Sequence, residues 1–428
     1  MITQQLVFYT YNFLLFVLGV LCLPWFVLLL VFDKDNRRRR LMRLGLGGGN
    51  LDKVDVLLHG VSVGEVKAIR SLVEAIQEDH PQLKLAISTT TITGYKTAKA
   101  TYPGVPVVVY PLDMFGACSR FLNILAPKTV ILAELELWPN FLRACQKRSI
   151  DVAVVNGRIT ARSLAGYLCI GRWLPRFGNV RMFGVQTELY AQRFEQLGIS
   201  QQDIVVTGNI KYDSLDFPDT SVQNSCWHRW RQRASLIFAA STHSPEESQL
   251  VSEYLRLSFL NTIFVVVPRH PQRCVELLSE LQKRHPNLVI RLFSDVKDCA
   301  ELECDVVIVD VLGQLEDGFA NADSCFIGGS LIEHGGQNLL EAAVANCAIV
   351  MGPSHYNFQD EVSLLLASEG MLIGQNAENV LELLFDLQQN PEKRRLLAQN
   401  ALNALESQRG TAKITLRAMS DLGLLPLK

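Results

Sequence analysis

Three carboxylates and one guanidinium stand where the sequence otherwise reads as packing. Glu65 closes HGVSVGE (59–65), between an apolar run and the helically spaced apolar residues from Val66 to Ile76. In the first turn of a helix the dipole keeps a carboxylate ionised, ready to take a proton from a hydroxyl. Glu134 and Glu136 alternate with apolar residues in ILAELELWPN (131–140), at the end of a run fit for burial. A carboxylate there is costly unless paired or hydrogen-bonded. Arg269 and His270 end the apolar run TIFVVVP; the planar fork of arginine suits a phosphate or carboxylate, and a surface ion pair fits the same pattern. Gly328 and Gly329 follow Cys325, Phe326 and Ile327, and a second pair, Gly335 and Gly336, precedes Gln337, Asn338 and the helical run LLEAAVA. Such loops let backbone approach a ligand, and the helix start favours an anion. Glu341, one turn in, is placed to accept from both hydroxyls of a ribose. Together these residues point to a sugar nucleotide, although glycine pairs also end strands for structural reasons alone and a glutamate also caps helices.

The elements that must position these residues alternate between strand and helix. Residues 54–58 predict a buried strand, so HGVSVGE is a strand-to-helix loop. LKLAIST (83–89), VPVVVYPLD (105–113), TVILAELELWPN (129–140) and VAVVNGRIT (152–160) repeat the design, each ending in polar or glycine-bearing residues. The segment VVTGNIKYDSLDFPD (205–219) closes this half, with Pro218 as a hinge. LIFAASTHSPEE (236–247), TIFVVVPRHPQR (262–273), DVVIVD (305–310) and the glycine-pair segment at 325–342 build a second half. Ser241 and Thr242 are candidates to cap the helix that follows them or to hold a phosphate, the cap being the simpler role. The pattern is α/β, with doubly wound parallel sheets whose carboxyl edges carry the ligands.

Bulk properties bound the function. A chain of 428 residues exceeds one ordinary core. A net charge of −2 with 20% charged residues excludes a broad nucleic-acid-binding face. Ten scattered cysteines, with no C-x-x-C pair, fit neither a disulfide framework nor a zinc site. The amino terminus departs from a soluble pattern: no charged side chain precedes Asp33, and residues 6–32 are almost wholly apolar, longer than the ~20 residues that cross a bilayer. Lys34, Arg37, Arg38, Arg39, Arg40 and Arg43 follow, placing the remainder on the cytoplasmic side. The expectation is a single-pass anchor at 1–34 that contributes little to folding, then a glycine-rich linker at 45–50 within a first domain spanning 35–215, and a second domain at 216–428.

The segments HGVSVGE, AELELWPN, VNGRITARS, TGNIKYD, STHSPEE, VPRHPQR and GGSLIEHGGQNLLEAA, in this order behind a membrane helix, resemble the 3-deoxy-D-manno-oct-2-ulosonic acid (Kdo) transferases of lipopolysaccharide assembly. The resemblance implies a glycosyltransferase of GT-B architecture, two Rossmann-like domains facing a cleft, with one N-terminal transmembrane helix. It implies inverting transfer of Kdo from CMP-Kdo to a lipid A precursor, lipid IVA, at the cytoplasmic face of the inner membrane. The partners are then CMP-Kdo, the lipid acceptor and membrane lipids, with no nucleic acid. No metal cofactor is required, because cationic side chains can meet the charge of the leaving phosphate. Glu65 takes the place of the general base, with Ser62, Gly64, Glu134 and Glu136 on the acceptor side. Asn209, Lys211, Ser241, Thr242, Arg269, Gly329, Ser330, Gly336, Asn338 and Glu341 match donor-binding positions. Gly60 stands where the family usually has alanine, Leu135 where it has threonine, Gln314 where it has glutamate and Gln337 where it has histidine. The alternatives are another GT-B sugar-nucleotide enzyme, such as a UDP-sugar transferase or an epimerase, and a membrane-tethered nucleotide-binding scaffold that binds donor without turnover.

Overall fold

A computed structural model describes residues 2–46, 52–171, 180–215, 225–257, 259–299 and 303–425. Residues 47–50 of the expected glycine linker, and the expected hinge residue Pro218, lie outside them. The chain divides into two units: Met1–Ser214 with Gln408–Lys428, and Leu215–Ser407.

In the first unit seven parallel strands form one sheet: β1 (Val56–His59), β2 (Leu85–Thr89), β3 (Val107–Val109), β4 (Thr129–Ala133), β5 (Asp151–Gly157), β6 (Val180–Val185) and β7 (Ile204–Val206). Their spatial order is β3-β2-β1-β4-β5-β6-β7, so the winding reverses between β1 and β4. Both faces are buried, which is why the strands read as continuous apolar runs. Alternation sends Leu57, Val130, Leu132 and Val154 to one core and Val56, Leu58, Ile131 and Val155 to the other. The helix predicted over 66–76 starts earlier and is broken at Ile69 into α3 (Val63–Ala68) and α4 (Arg70–Asp79).

The second unit repeats the plan with β8 (Ser235–Thr242), β9 (Thr262–Pro268), β10 (Ile290–Leu292), β11 (Val306–Ile308), β12 (Ser324–Ile327), β13 (Ala348–Met351) and β14 (Met371–Ile373). The order is β10-β11-β9-β8-β12-β13-β14, with the reversal between β8 and β12. In open α/β sheets ligands bind outside the carboxyl ends of strands at such reversals.

The second domain does not run to the carboxyl terminus as expected. The helix Thr411–Asp421 returns to the first unit, where Ala412, Leu416, Met419, Leu424 and Leu425 complete the core that holds Val56 and Leu58. Asp213 anchors its start, accepting the amides of Gly410 and Ala412 at 2.6 Å each. At the other end of the chain, α1 (Ile2–Phe32) carries a 25-residue stretch, Phe8–Phe32, long and apolar enough to cross a membrane. It leads into the basic helix α2 (Lys34–Arg43), capped by Asp33, which also pairs with Arg40 at 2.6 Å.

Candidate active site

In the first unit the carboxylates gather at the reversal between β1 and β4. Ser62 caps α3, its Oγ accepting the Glu65 amide at 3.3 Å. The Ser62 hydroxyl in turn donates to Glu65 Oε1 at 2.7 Å, and the Val61 amide donates to Oε2 at 2.8 Å. This reciprocal capping box holds the half-buried carboxylate in one orientation, and each oxygen keeps lone-pair capacity for a further proton donor. A Cβ on Gly60 would stand 3.2 Å from both Glu65 Cβ and the Val66 nitrogen, so the missing side chain lets the loop fold close beneath Glu65. Gly64 is exposed and has only Ser62 Oγ near its Cβ direction, so packing does not explain a glycine there.

Glu134, the first residue beyond β4, has φ 58°, a left-handed conformation that costs about 1 kcal/mol or more for a residue other than glycine. Burial pushes its carboxyl above the usual range; Glu65 and Glu136 add to this, and Arg158 and Lys211 oppose it. Burial likewise raises Glu136, with a contribution from Glu65, against a 2.7 Å hydrogen bond donated by Trp138 Nε1. Carboxylates that repel one another in partial burial gain proton affinity, which is what a general base needs.

Asn209 and Lys211 belong to this unit, with Lys211 close enough to Glu134 to act on its charge, and the other expected donor residues belong to the second. Asn209 Oδ1 accepts the Lys211 amide at 3.1 Å, closing the turn that presents it. Two supporting residues escaped the sequence reading. Asn156, at φ 57° on β5, accepts the Ile210 amide at 3.1 Å and fixes the same turn. Its signal was the Asn-Gly pair at a strand end. Asp113 accepts the amides of Asn140 and Phe141 at 3.1 and 2.8 Å, and so caps the helix Pro139–Gln146 that follows Glu136. No local pattern announces that long-range cap.

In the second unit Arg269 and three histidines, His243, His270 and His334, follow the carboxyl ends of β8, β9 and β12. Arg269 is exposed after β9, its amide bonded to Thr242 O at 2.9 Å. Among the described residues its guanidinium forms no ion pair, so the surface-pair alternative is not realised. His243 lies beside His334 (ring centroids 4.3 Å apart) and His270 (5.9 Å). Burial first, then the charges of His334, His270, Arg269 and Arg273, pull the His243 imidazole down to about 4. Gln337 Nε2 lies 3.0 Å from His243 Nε2, and a neutral ring accepts that bond. Thr242 is fully buried, its hydroxyl oxygen without a hydrogen-bond partner among the described residues, and Ser241 precedes it at φ 53° in a bulge of β8. Among the described residues no group of three or more His, Cys, Asp or Glu side chains is arranged to hold a metal ion.

Several donor expectations need correcting. Ser241 and Thr242 do not cap the helix Glu246–Arg256, which has no side-chain cap. The first glycine pair does not offer free amides: Gly329, Ser330 and Leu331 donate to the Glu246 carboxylate at 2.7, 3.1 and 3.0 Å, and His243 adds a fourth amide at 2.9 Å. Glu246 is itself fully buried. Ser330 is buried too, its hydroxyl donating to Ile327 O and accepting the Gly352 amide. These residues shape the loop, their amides and the Ser330 hydroxyl turned inward. Gly328 is required by close approach, since a Cβ there would lie 2.6 Å from Ser241 O. The run LLEAAVA forms only a five-residue helix, Leu340–Val344, too short for a substantial dipole. Gly336 bonds back to Gly329 O at 2.8 Å, while Asn338 Nδ2 donates to Glu341 Oε1 at 2.9 Å on the exposed side. Gln314 precedes the helix Leu315–Asn321 without a side-chain cap bond.

Residues 35–214 match the family model of 3-deoxy-D-manno-octulosonic-acid transferase (kdotransferase). The 3-deoxy-D-manno-octulosonic acid transferase of Haemophilus influenzae is 31% identical over 94% of this chain and 95% of its own length. The chain belongs to this transferase family. The Bordetella pertussis transferase is 29% identical over 86% of this chain and 87% of its own length. It follows that the chain is a glycosyltransferase of lipopolysaccharide biosynthesis. The crystal structure of the UDP-GlcNAc 2-epimerase from Neisseria meningitidis bound to UDP-GlcNAc is 12% identical, covers 86% of this chain and all 100% of its own, and has a TM-score of 0.60. That likeness speaks to the fold alone, the two Rossmann-like units of the GT-B class.

Proposed function

We propose that the chain transfers Kdo from CMP-Kdo to a lipid A precursor of the lipid IVA type, with inversion at the anomeric carbon, at the cytoplasmic face of the inner membrane. The observation that carries this reading is the division of chemistry between the units. Glu65 stands with Glu134 and Glu136, whose proton affinity burial raises, at the reversal of one sheet, and Arg269, without an ion pair among the described residues, stands among histidines at the carboxyl edge of the other. Glu65 takes the proton of the acceptor hydroxyl as its oxygen attacks the anomeric carbon, and the CMP phosphate leaves with the bonding pair. A single carboxylate base acting once is the requirement of an inverting displacement. Arg269 supplies the positive charge the leaving phosphate needs, with His243 and His270 beside it in the second unit, and the reading calls for no metal. Asn338 and Glu341 present an exposed amide and carboxylate suited to ribose hydroxyls. The basic helix α2 suits anionic lipid, and α1 holds the enzyme where its acceptor resides.

The test is product analysis by mass spectrometry, with the purified full chain given CMP-Kdo or UDP-sugars and a tetra-acylated lipid A precursor. Mass gain of Kdo units from CMP-Kdo alone is expected. Transfer from a UDP-sugar, or donor binding with no product, sinks the reading.

A further inference from the structure

Helix α1 meets the first unit along one stripe. Phe8, Tyr11, Leu15, Gly19, Phe26 and Leu30 are partly covered, at spacings that keep them on one helical face. The remaining faces are open, with Phe13, Leu14, Leu21, Trp25 and Phe32 between 61% and 79% exposed. Near its start, the Tyr11 hydroxyl donates to Asp113 Oδ2 at 2.8 Å, the Arg143 guanidinium lies over the Phe8 ring at 4.2 Å, and Met114 Cε faces Gly19. Near its end, Arg40 Nη1 donates to Leu29 O at 3.0 Å. Helix α2, which carries Arg40, is itself tied to the sheet: Arg39 Nη2 donates to Thr90 O at 3.2 Å and the Leu112 amide to Arg43 O at 2.8 Å.

Tyr11 and Leu29 are separated by about 27 Å of helix at ~1.5 Å per residue, close to the ~30 Å of a bilayer core. A helix that crosses the bilayer holds such ends on opposite sides. Here both ends are bonded to the same folded unit. Asp113 also caps the helix Pro139–Gln146, and neither it nor Arg143 can follow Tyr11 across hydrocarbon without losing polar partners.

Resting on the reading that the chain works at the cytoplasmic face, we propose that α1 lies along the membrane instead of through it. One stripe is seated on the first unit by the Tyr11–Asp113 latch, and the open apolar faces enter the cytoplasmic leaflet alone. The exposed Arg37 and Arg38 of α2 then meet anionic headgroups of that same leaflet. The amino terminus stays on the side of the catalytic units, and the residue that seats α1 is the one that caps the helix after Glu136.

Two measurements on the full chain in native membranes test this, and neither reads activity, so a wrong donor or acceptor leaves their outcome intact. An N-terminal epitope followed by a protease site, placed ahead of residue 1, should be lost from inverted vesicles and retained in spheroplasts. Loss from spheroplasts, or retention in both preparations, overturns the proposal. A benzophenone side chain introduced at position 11 should photocrosslink to the peptide containing Asp113, and crosslinking to lipid alone overturns it.

Discussion

The Glu246 carboxylate stands 2.7 Å from the Gly329 amide, in the place a ligand phosphate would occupy if the first glycine pair were its cradle. The loop after β12 is therefore organised by an internal anion. Burial pushes the Glu246 carboxyl up, while the amides of Gly329, Leu331 and His243 pull it back. Glu246→Ala would leave four amides unpaired at a buried site, at a cost of roughly 3 kcal/mol or more. Urea unfolding of the second unit should show that loss, and Glu246→Gln should recover only part of it. Wild-type stability in Glu246→Ala would mean that water replaces the carboxylate.

Glu65→Gln keeps the cap in altered form, since its Oε1 can accept the Val61 amide while its Nε2 donates to Ser62 Oγ, which still accepts the residue 65 amide. Its melting temperature should stay near that of the parent, while turnover falls by at least ~10²-fold and CMP-Kdo binding is nearly unchanged. Near-normal turnover at saturating acceptor would move the base to Glu134 or Glu136.

Arg269→Ala should weaken CMP binding by about 2 kcal/mol, the scale of a charge-assisted pair, when measured by calorimetry. Because Arg269 is exposed and has no ion pair among the described residues, unfolding should hardly change. Unaltered affinity for CMP and CMP-Kdo would remove it from the donor site.

Glu134 combines a left-handed backbone with a partly buried carboxylate. Glu134→Gly should raise stability by about 1 kcal/mol by relieving the φ strain, and lower activity at the same time. Opposite signs for the two effects, in thermal unfolding and in turnover, are the expected signature of a strained functional position.

His243 is held down to about 4, against 6.5 for an unperturbed histidine. Between these values the unfolded chain binds the extra proton, so the stability contributed by neutral His243 is present above pH 6.5 and lost as pH falls toward 4. Buried His59, held to about 3, acts in the same direction. An anion beside His243 reverses the cause of its depression, so CMP binding near pH 5 should take up a proton and tighten as pH falls from 6 to 5. Calorimetry in two buffers of different ionisation enthalpy measures that uptake, and zero uptake would place the anion elsewhere.

Period and punctuation alone determined the α/β class, the strands carrying each candidate residue, and the placement of Glu65, Glu134 and Arg269 at strand ends. Strands buried on both faces leave continuous apolar runs, and their carboxyl ends leave polar breaks. Motif order carried the family for the same reason, since it lies in the chain itself. Only the tertiary structure decided where partners come from far along the chain. Gly329 reads as an open anion cradle until Glu246, 83 residues earlier, is seen to fill it. The return of Thr411–Asp421 to the first unit depends on Asp213 and on core residues such as Val56, contacts that leave no local period. The seat of α1 was equally hidden: an apolar run signals lipid, but only the bonds of Tyr11 to Asp113 and of Arg40 to Leu29 O place both ends of the helix on one folded body.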